Sequence, residues 1–350
     1  MPDSRLTHLI AEGQLVQALS HLSDSRRQLS IPERVLRLEL TSITSAKDSC
    51  ASECSDLLSR RDLTGEDRVK CLVISAVSQL RSGSDTTGRA SFKRAVAQAD
   101  KIAVEVACYA RVWQLSALVS WIGPEAASLE VVTTRRFVTA AGRPDFTVRF
   151  HLALAEIAAK EGVLGRAHRH LEVAADLLSS YPHQFLEAEH AVRVGAICTL
   201  ASDPQGAATS AERAIHLAVE SGAPTLEVVA RSNLAHALLA QGKLQLCYTE
   251  LCRAFELCRN RGGAELGIRD GLLQYALASN DLALADDVAE ITYERSLDIH
   301  DGHSYYGLWH LLTRVKWLYR TDQAEAGVAI AMDALPRIER MADRNLLERM

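Results

Sequence analysis

The sequence predicts an all-α protein, an α-solenoid of stacked antiparallel helix hairpins. Three observations predict it. Apolar residues recur at helical spacing along almost the whole chain, with no sustained alternation rich in Val, Ile and Thr. Short polar or Gly/Pro clusters break that periodicity into segments of about 12–20 residues, the normal length of globular helices. Small residues return at one fixed spacing, the mark of a repeated unit.

Composition agrees. The chain has 350 residues, 48% hydrophobic but only 5% aromatic. Ala and Leu dominate, and both lose little entropy in a helix. The net charge is −5 and no basic stripe appears, which argues against direct nucleic-acid binding. No apolar run approaches the roughly 18 residues of a membrane span. The start, "MPDSRLTHLIAEGQ", lacks an apolar signal core, so a cytoplasmic protein is expected. Eight cysteines occur without a C-x-x-C pair, and they read as reduced, buried small residues.

Taken in order, hairpins are expected at 4–28 and 33–60. Next, Ser78, Ala90 and Ala97 set a spacing of 12 and then 7 residues. A further hairpin falls at 102–141, interrupted by "IGPE" and closed by "AGRPD". The central units are the most regular. Ala167, Ala207, Cys247 and Ala285 lie 40, 40 and 38 residues apart. Twelve residues before each stand Ala155, Gly195, Ala235 and Leu273; seven residues after each stand Ala174, Ala214, Ala254 and Thr292. Two helices joined by a tight turn approach closely only where side chains are small, and the uncovered face of each pair must be buried by the next. Turns are therefore predicted near 162–164, 202–205, 242–243 and 280–281. Gly162 and Gly242 stand where a left-handed helix terminus favours a residue without Cβ. Helices at 303–320 and 323–343 make one more pair. The closing "NLLERM" reads as the start of a further helix in a chain that continues past Met350.

This pattern resembles the tetratricopeptide repeat, most closely in "SNLAHALLAQGKLQLCYTELCRAFEL", Ser232–Leu257. The unit of about 40 residues exceeds the roughly 34 of the standard repeat. It is similar to the long-helix variety found in sensor regions of bacterial regulators. The resemblance covers roughly Thr147–Leu297 and implies a right-handed superhelix. By spacing and periodicity, 147–343 reads as repeats, 1–146 as degenerate repeats of the same solenoid or else a separate helical domain, and 344–350 as the start of the further helix. The resemblance also implies that the first helix of each pair lines a concave groove. Groove residues by this reading are Glu156, Arg193, Asn233, His236 and Gln274, with Gly271 beside them. Asn233 matches the asparagine that often holds a peptide backbone in this family. Arg193 suits a carboxylate.

Other candidates carry less. "GSDTTGRAS", Gly83–Ser91, has Arg89 where a phosphate loop needs lysine and follows a helix, so it reads as a turn. The histidines, in groups 168/170, 183/190 and 300/303/310, lack the companions of a zinc site, and no metal or other cofactor is expected. No catalytic motif appears. The aromatic stretch "HSYYGLWHLLTRVKWLYR" gathers Tyr305, Tyr306, Trp309, Trp317 and Tyr319, which either fill a helix core or form an interface. The function expected is that of a peptide- or protein-binding sensor module with an effector domain beyond Met350. A structural scaffold or adaptor is the alternative, and an enzyme built from distant helices a third. Sequence leaves the oligomeric state open.

Overall fold

The structure is a computed structural model that describes residues 4–23, 29–44, 50–63, 65–258, 263–297 and 305–347. His300 and His303 lie outside them. The described residues form helices and no strand. In chain order the hairpins are α1 (Ser4–Ala11) with α2 (Leu15–Ser23), α3 (Ile31–Thr44) with α4 (Cys50–Ser59), and α5 (Gly65–Arg81) with α6 (Asp85–Ala99). Next, α7 (Val104–Trp121) pairs with a broken partner, α8 (Pro124–Ser128) and α9 (Val131–Ala141). Then follow α10 (Pro144–Lys160) with α11 (Leu164–Ser180), α12 (Gln184–Leu200) with α13 (Pro204–Glu220), and α14 (Pro224–Ala240) with α15 (Leu244–Cys258). The last pairs are α16 (Gly263–Ser279) with α17 (Leu282–Leu297) and α18 (Tyr305–Arg320) with α19 (Ala324–Met341), followed by the short α20 (Arg344–Leu347).

All four expected central turns are present. They are built alike, with a left-handed residue at Gly162 (φ 77°), Ser202 (φ 58°), Gly242 (φ 71°) and Asn280 (φ 59°). Proline opens α10, α13 and α14, where its missing N–H is one the helix does not need. Asp203 caps α13, its Oδ1 accepting from the Gly206 N–H at 2.9 Å. "GSDTTGRAS" is the α5–α6 turn and the start of α6.

The small residues do what their spacing implies. Ala155, Ala167, Ala174, Ala207, Ala214, Ala235 and Ala254 are all 0% exposed. A Cβ on Gly195 would sit 3.5 Å from the Ala207 carbonyl oxygen and 3.6 Å from the Ala211 nitrogen, so α12 and α13 nearly touch backbone to backbone there. Leucine at Ala235 or Ala254 should overpack such a contact and destabilise the chain by about 1–3 kcal/mol, read as a lower midpoint in urea unfolding. Six of the eight cysteines are buried free thiols, while Cys198 and Cys252 are half-buried.

First helices stack on first helices, α5 on α7, α7 on α10, and so on to α16 on α18. The series passes residue 146 without interruption. It also returns on itself at both ends. Near the C-terminus, Asn345 donates to the Ala159 carbonyl at 3.1 Å, and Tyr306 lies edge-on to Trp121 with ring centres 5.5 Å apart. Near the N-terminus, the Gln184 N–H donates to the Glu12 carbonyl at 3.0 Å. Gly13 lies so close that a Cβ there would be 2.8 Å from the Phe185 nitrogen, and Val16 is pressed against Gly222. Both ends thus pack on the middle of the chain.

Candidate functional site

Between the N-terminal hairpin and the first helices lies a cleft of about 400 Å3. Its walls come from α3, α5, α7, α10 and α12, and the α1–α2 hairpin closes one side with Ile10 and Leu15. Tyr109, Trp113 and Phe146 give it an aromatic lining, and charged groups of both signs share it. Tyr109 and Trp113 stand one helical turn apart on α7, which brings them onto one face.

Several of these charges are fixed in pairs. Lys70 meets Glu66 at 2.8 Å and Glu39 at 3.9 Å. Burial pulls the Lys70 amine down, but Glu39 and Glu66 outweigh it and hold it above its ordinary value. Burial, then the charge of Glu39 and a hydrogen bond to it, pushes the Tyr109 hydroxyl well above its usual range. The Arg149 guanidinium lies 4.6 Å over Trp113 and 5.4 Å over Phe185, and reaches Glu189 at 3.1 Å. Its planar face suits such stacking. His183 caps α12, its Nδ1 accepting from the Leu186 N–H at 3.3 Å. Burial, and then Arg149, brings its imidazole down to about 4, so it is neutral near pH 7.

The expected groove residues stand in a row on α10, α12, α14 and α16, all half-buried. The structure gives each of these side chains a neighbour within the scaffold. Glu156 accepts from the Ser120 hydroxyl at 3.1 Å and pairs with Lys160 at 3.3 Å and Arg193 at 3.6 Å. Asn233 donates to the Val192 carbonyl at 3.1 Å, tying α14 to α12. Gln274 donates to Asp270 on its own helix at 2.7 Å. The His236 ring lies beside Gly271, 3.6 Å from where a Cβ would stand. Tyr306 crosses from Gly267 of α16 to Trp121 of α7 beside this row, and burial followed by Glu156 pushes its hydroxyl up to about 12.

The aromatic stretch is divided. Tyr305 and Trp317 are core, the Tyr305 hydroxyl donating to Asp343 at 2.8 Å and the Trp317 indole to Asp286 at 2.7 Å. Tyr306 and Trp309 are half-buried, and Tyr319 is 53% exposed. The helix packs chiefly on α16, α17 and α19, and Tyr306 and Tyr305 reach Trp121 of α7 and Lys160 of α10. His168 and His170 diverge as their spacing requires; His170 instead meets His151 of α10. Among the described residues no three His, Cys, Asp or Glu side chains gather as metal ligands, and no helix is long and apolar enough to cross a membrane.

No protein-family model and no curated protein matches the sequence. Solved structures do match. A Rap protein complexed with Competence and Sporulation Factor aligns with a TM-score of 0.67 at 12% identity, covering 99% of this chain and 97% of that one. The apo form of RapI aligns at 0.50 and 9% identity, covering 96% and 97%. A signal-transduction ATPase with a tetratricopeptide-repeat sensor, from Pyrococcus horikoshii, aligns at 0.49 and 11% identity, covering 96% of this chain and 54% of that one. The fold is a tetratricopeptide-like solenoid. What sequence reasoning missed in this solenoid is the cleft, whose Glu39, Lys70, Tyr109, Trp113 and Arg149 lie on first helices at or before α10. A signal for it was present: two aromatics one turn apart in an aromatic-poor chain, and a Glu66/Lys70 pair at the same spacing.

Proposed function

We propose that the chain is a binding module rather than an enzyme, and that it takes a short peptide segment into the cleft beside the N-terminal hairpin. The observation that carries this reading is the cleft's composition. An aromatic lining of Tyr109, Trp113 and Phe146 is flanked by Lys70, Arg149, Glu39 and Glu105. Aromatic surface supplies burial, and fixed charges of both signs orient a polar backbone and its charged side chains. The preferred segment presents one apolar side chain between charged ones. The Rap protein that shares this fold over nearly its whole length was solved with a bound factor, which supports a sensing role. The wider reading is a sensor region of a bacterial transcriptional or signalling regulator.

The test is a selection followed by a titration. A random peptide display library is panned on the intact chain, and an enriched peptide is titrated against Glu105→Gln and Arg149→Gln. Glu105 is exposed, so its replacement leaves the fold alone. A charged hydrogen bond is worth about 1.5–3 kcal/mol, so at least one variant should bind about tenfold more weakly. Unchanged affinity in both, with unchanged melting, removes the cleft from consideration.

A further inference from the structure

A second cavity, of about 520 Å3, lies between α9 and α11 and is floored by α10. Its origin is local. The partner helix of α7 is broken after Ser128, and its second piece, α9, packs on α7 and α10, while α11 packs on α10 and α12. The floor is apolar, with Val138, Phe150 and Leu154. The titratable side chains lining it are Arg135 from α9, His151 from α10 and His170 from α11; no carboxylate lines it among the described residues.

The two imidazoles face each other, with Nδ1 to Nδ1 at 3.1 Å and ring centres 5.2 Å apart. At that distance one ring donates its Nδ1–H to the unprotonated Nδ1 of the other. Arg135 lies 5.9 Å over the Phe150 ring at the cavity's edge. Arg166 and Arg169 stand near His170, Arg166 being paired with Glu161. Burial, then His151 and these arginines, brings His170 down to about 4; burial and Arg135 lower His151.

We propose that this cavity binds a small organic anion, a carboxylate or phosphate monoester with an apolar body. Arg135 offers its guanidinium fork to the anionic group. The incoming negative charge draws a proton from solvent onto the histidine pair, so that both rings become donors. The apolar body lies on Val138, Phe150 and Leu154. Two imidazoles at this separation would also suit a metal ion, but a zinc site takes at least three protein ligands and the surrounding arginines repel a cation.

The experiment titrates the full chain with phenyl phosphate, benzoate, inorganic phosphate and, separately, zinc ions, following the histidine ring resonances by NMR. Phenyl phosphate or benzoate should saturate at millimolar concentration or below and raise the titration of His151 and His170. Saturation by phenyl phosphate identifies the phosphate source, and by benzoate the carboxylate source. Arg135→Gln should weaken binding about tenfold, and Arg135→Lys should weaken it less. Arg135 is exposed, so these variants remain folded. No saturation by either organic anion overturns the proposal. So does equal binding of inorganic phosphate, binding indifferent to Arg135→Gln, or zinc binding tighter than any anion.

Discussion

Replacing Lys160 with alanine should destabilise the chain by about 3 kcal/mol, the largest effect expected of a single substitution here. Lys160 is a buried cation, 8% exposed as a residue. Its Nζ donates to the Val119 carbonyl of α7 at 2.6 Å, pairs with Glu156 of α10 at 3.3 Å and lies 3.8 Å over the Tyr305 ring of α18. One amine thus joins three first helices, including one from the far end of the chain. Alanine leaves Glu156 half-buried with Arg193 and Ser120 alone and opens a gap under Tyr305. Breaking one partner of a buried pair costs about 3–5 kcal/mol, and Arg193 offsets part of that here. Lys160→Met keeps the apolar stem and should cost less than alanine. Urea unfolding reads both. An unmoved midpoint for Lys160→Ala means that α18 is not seated on α10 as described.

The second large effect is a loss of stability in mild acid. His310 is 0% exposed on α18, with its Nδ1 3.9 Å from an Asp270 oxygen and Arg314 one turn along. Burial first, and then Arg314, brings its imidazole down to about 4, while the Ala289 backbone pulls the other way. The unfolded chain takes up this proton near 6.5, but the folded chain takes it up only near 4. Protonation between those values therefore favours the unfolded chain. The stability is fully present above about pH 6.5 and is lost as pH falls toward about 4, at about 1.4 kcal/mol per pH unit and about 3 kcal/mol in all. His183, also brought down to about 4, adds to the same slope. In His310→Leu the fall in urea midpoint between about pH 7 and about pH 5 should be visibly shallower. An identical slope means that His310 is not held neutral in the folded chain.

The repeats and the cleft were not equally legible in the sequence. Helix pairs, their turns and their closest contacts could be read because each depends on neighbours within one repeat: a small residue at Ala167 or Ala235 answers to a helix one turn away in sequence. The cleft depends on how the whole array curves. The N-terminal hairpin reaches α12 through Glu12 and Gln184, and α20 reaches α10 through Asn345 and Ala159. No periodicity encodes contacts at that separation. Asn233 shows the consequence. Its place on a first helix was predictable, but its bond to the Val192 carbonyl follows from the close approach of α12 and α14. The aromatic stretch was ambiguous because core and interface use the same residue types; in α18, Tyr305 and Trp317 are core while Tyr319 is exposed.

The most direct measurement for the central claim is where a bound peptide lies. The selected peptide, carrying a photoreactive group at its apolar position, is irradiated in complex with the intact chain, and the cross-linked residues are located by mass spectrometry. Cross-links should fall on α3, α5, α7 and α10, at or beside Tyr109, Trp113 and Phe146. Cross-links confined to second helices such as α13, α15 and α17 would contradict the assignment of the cleft.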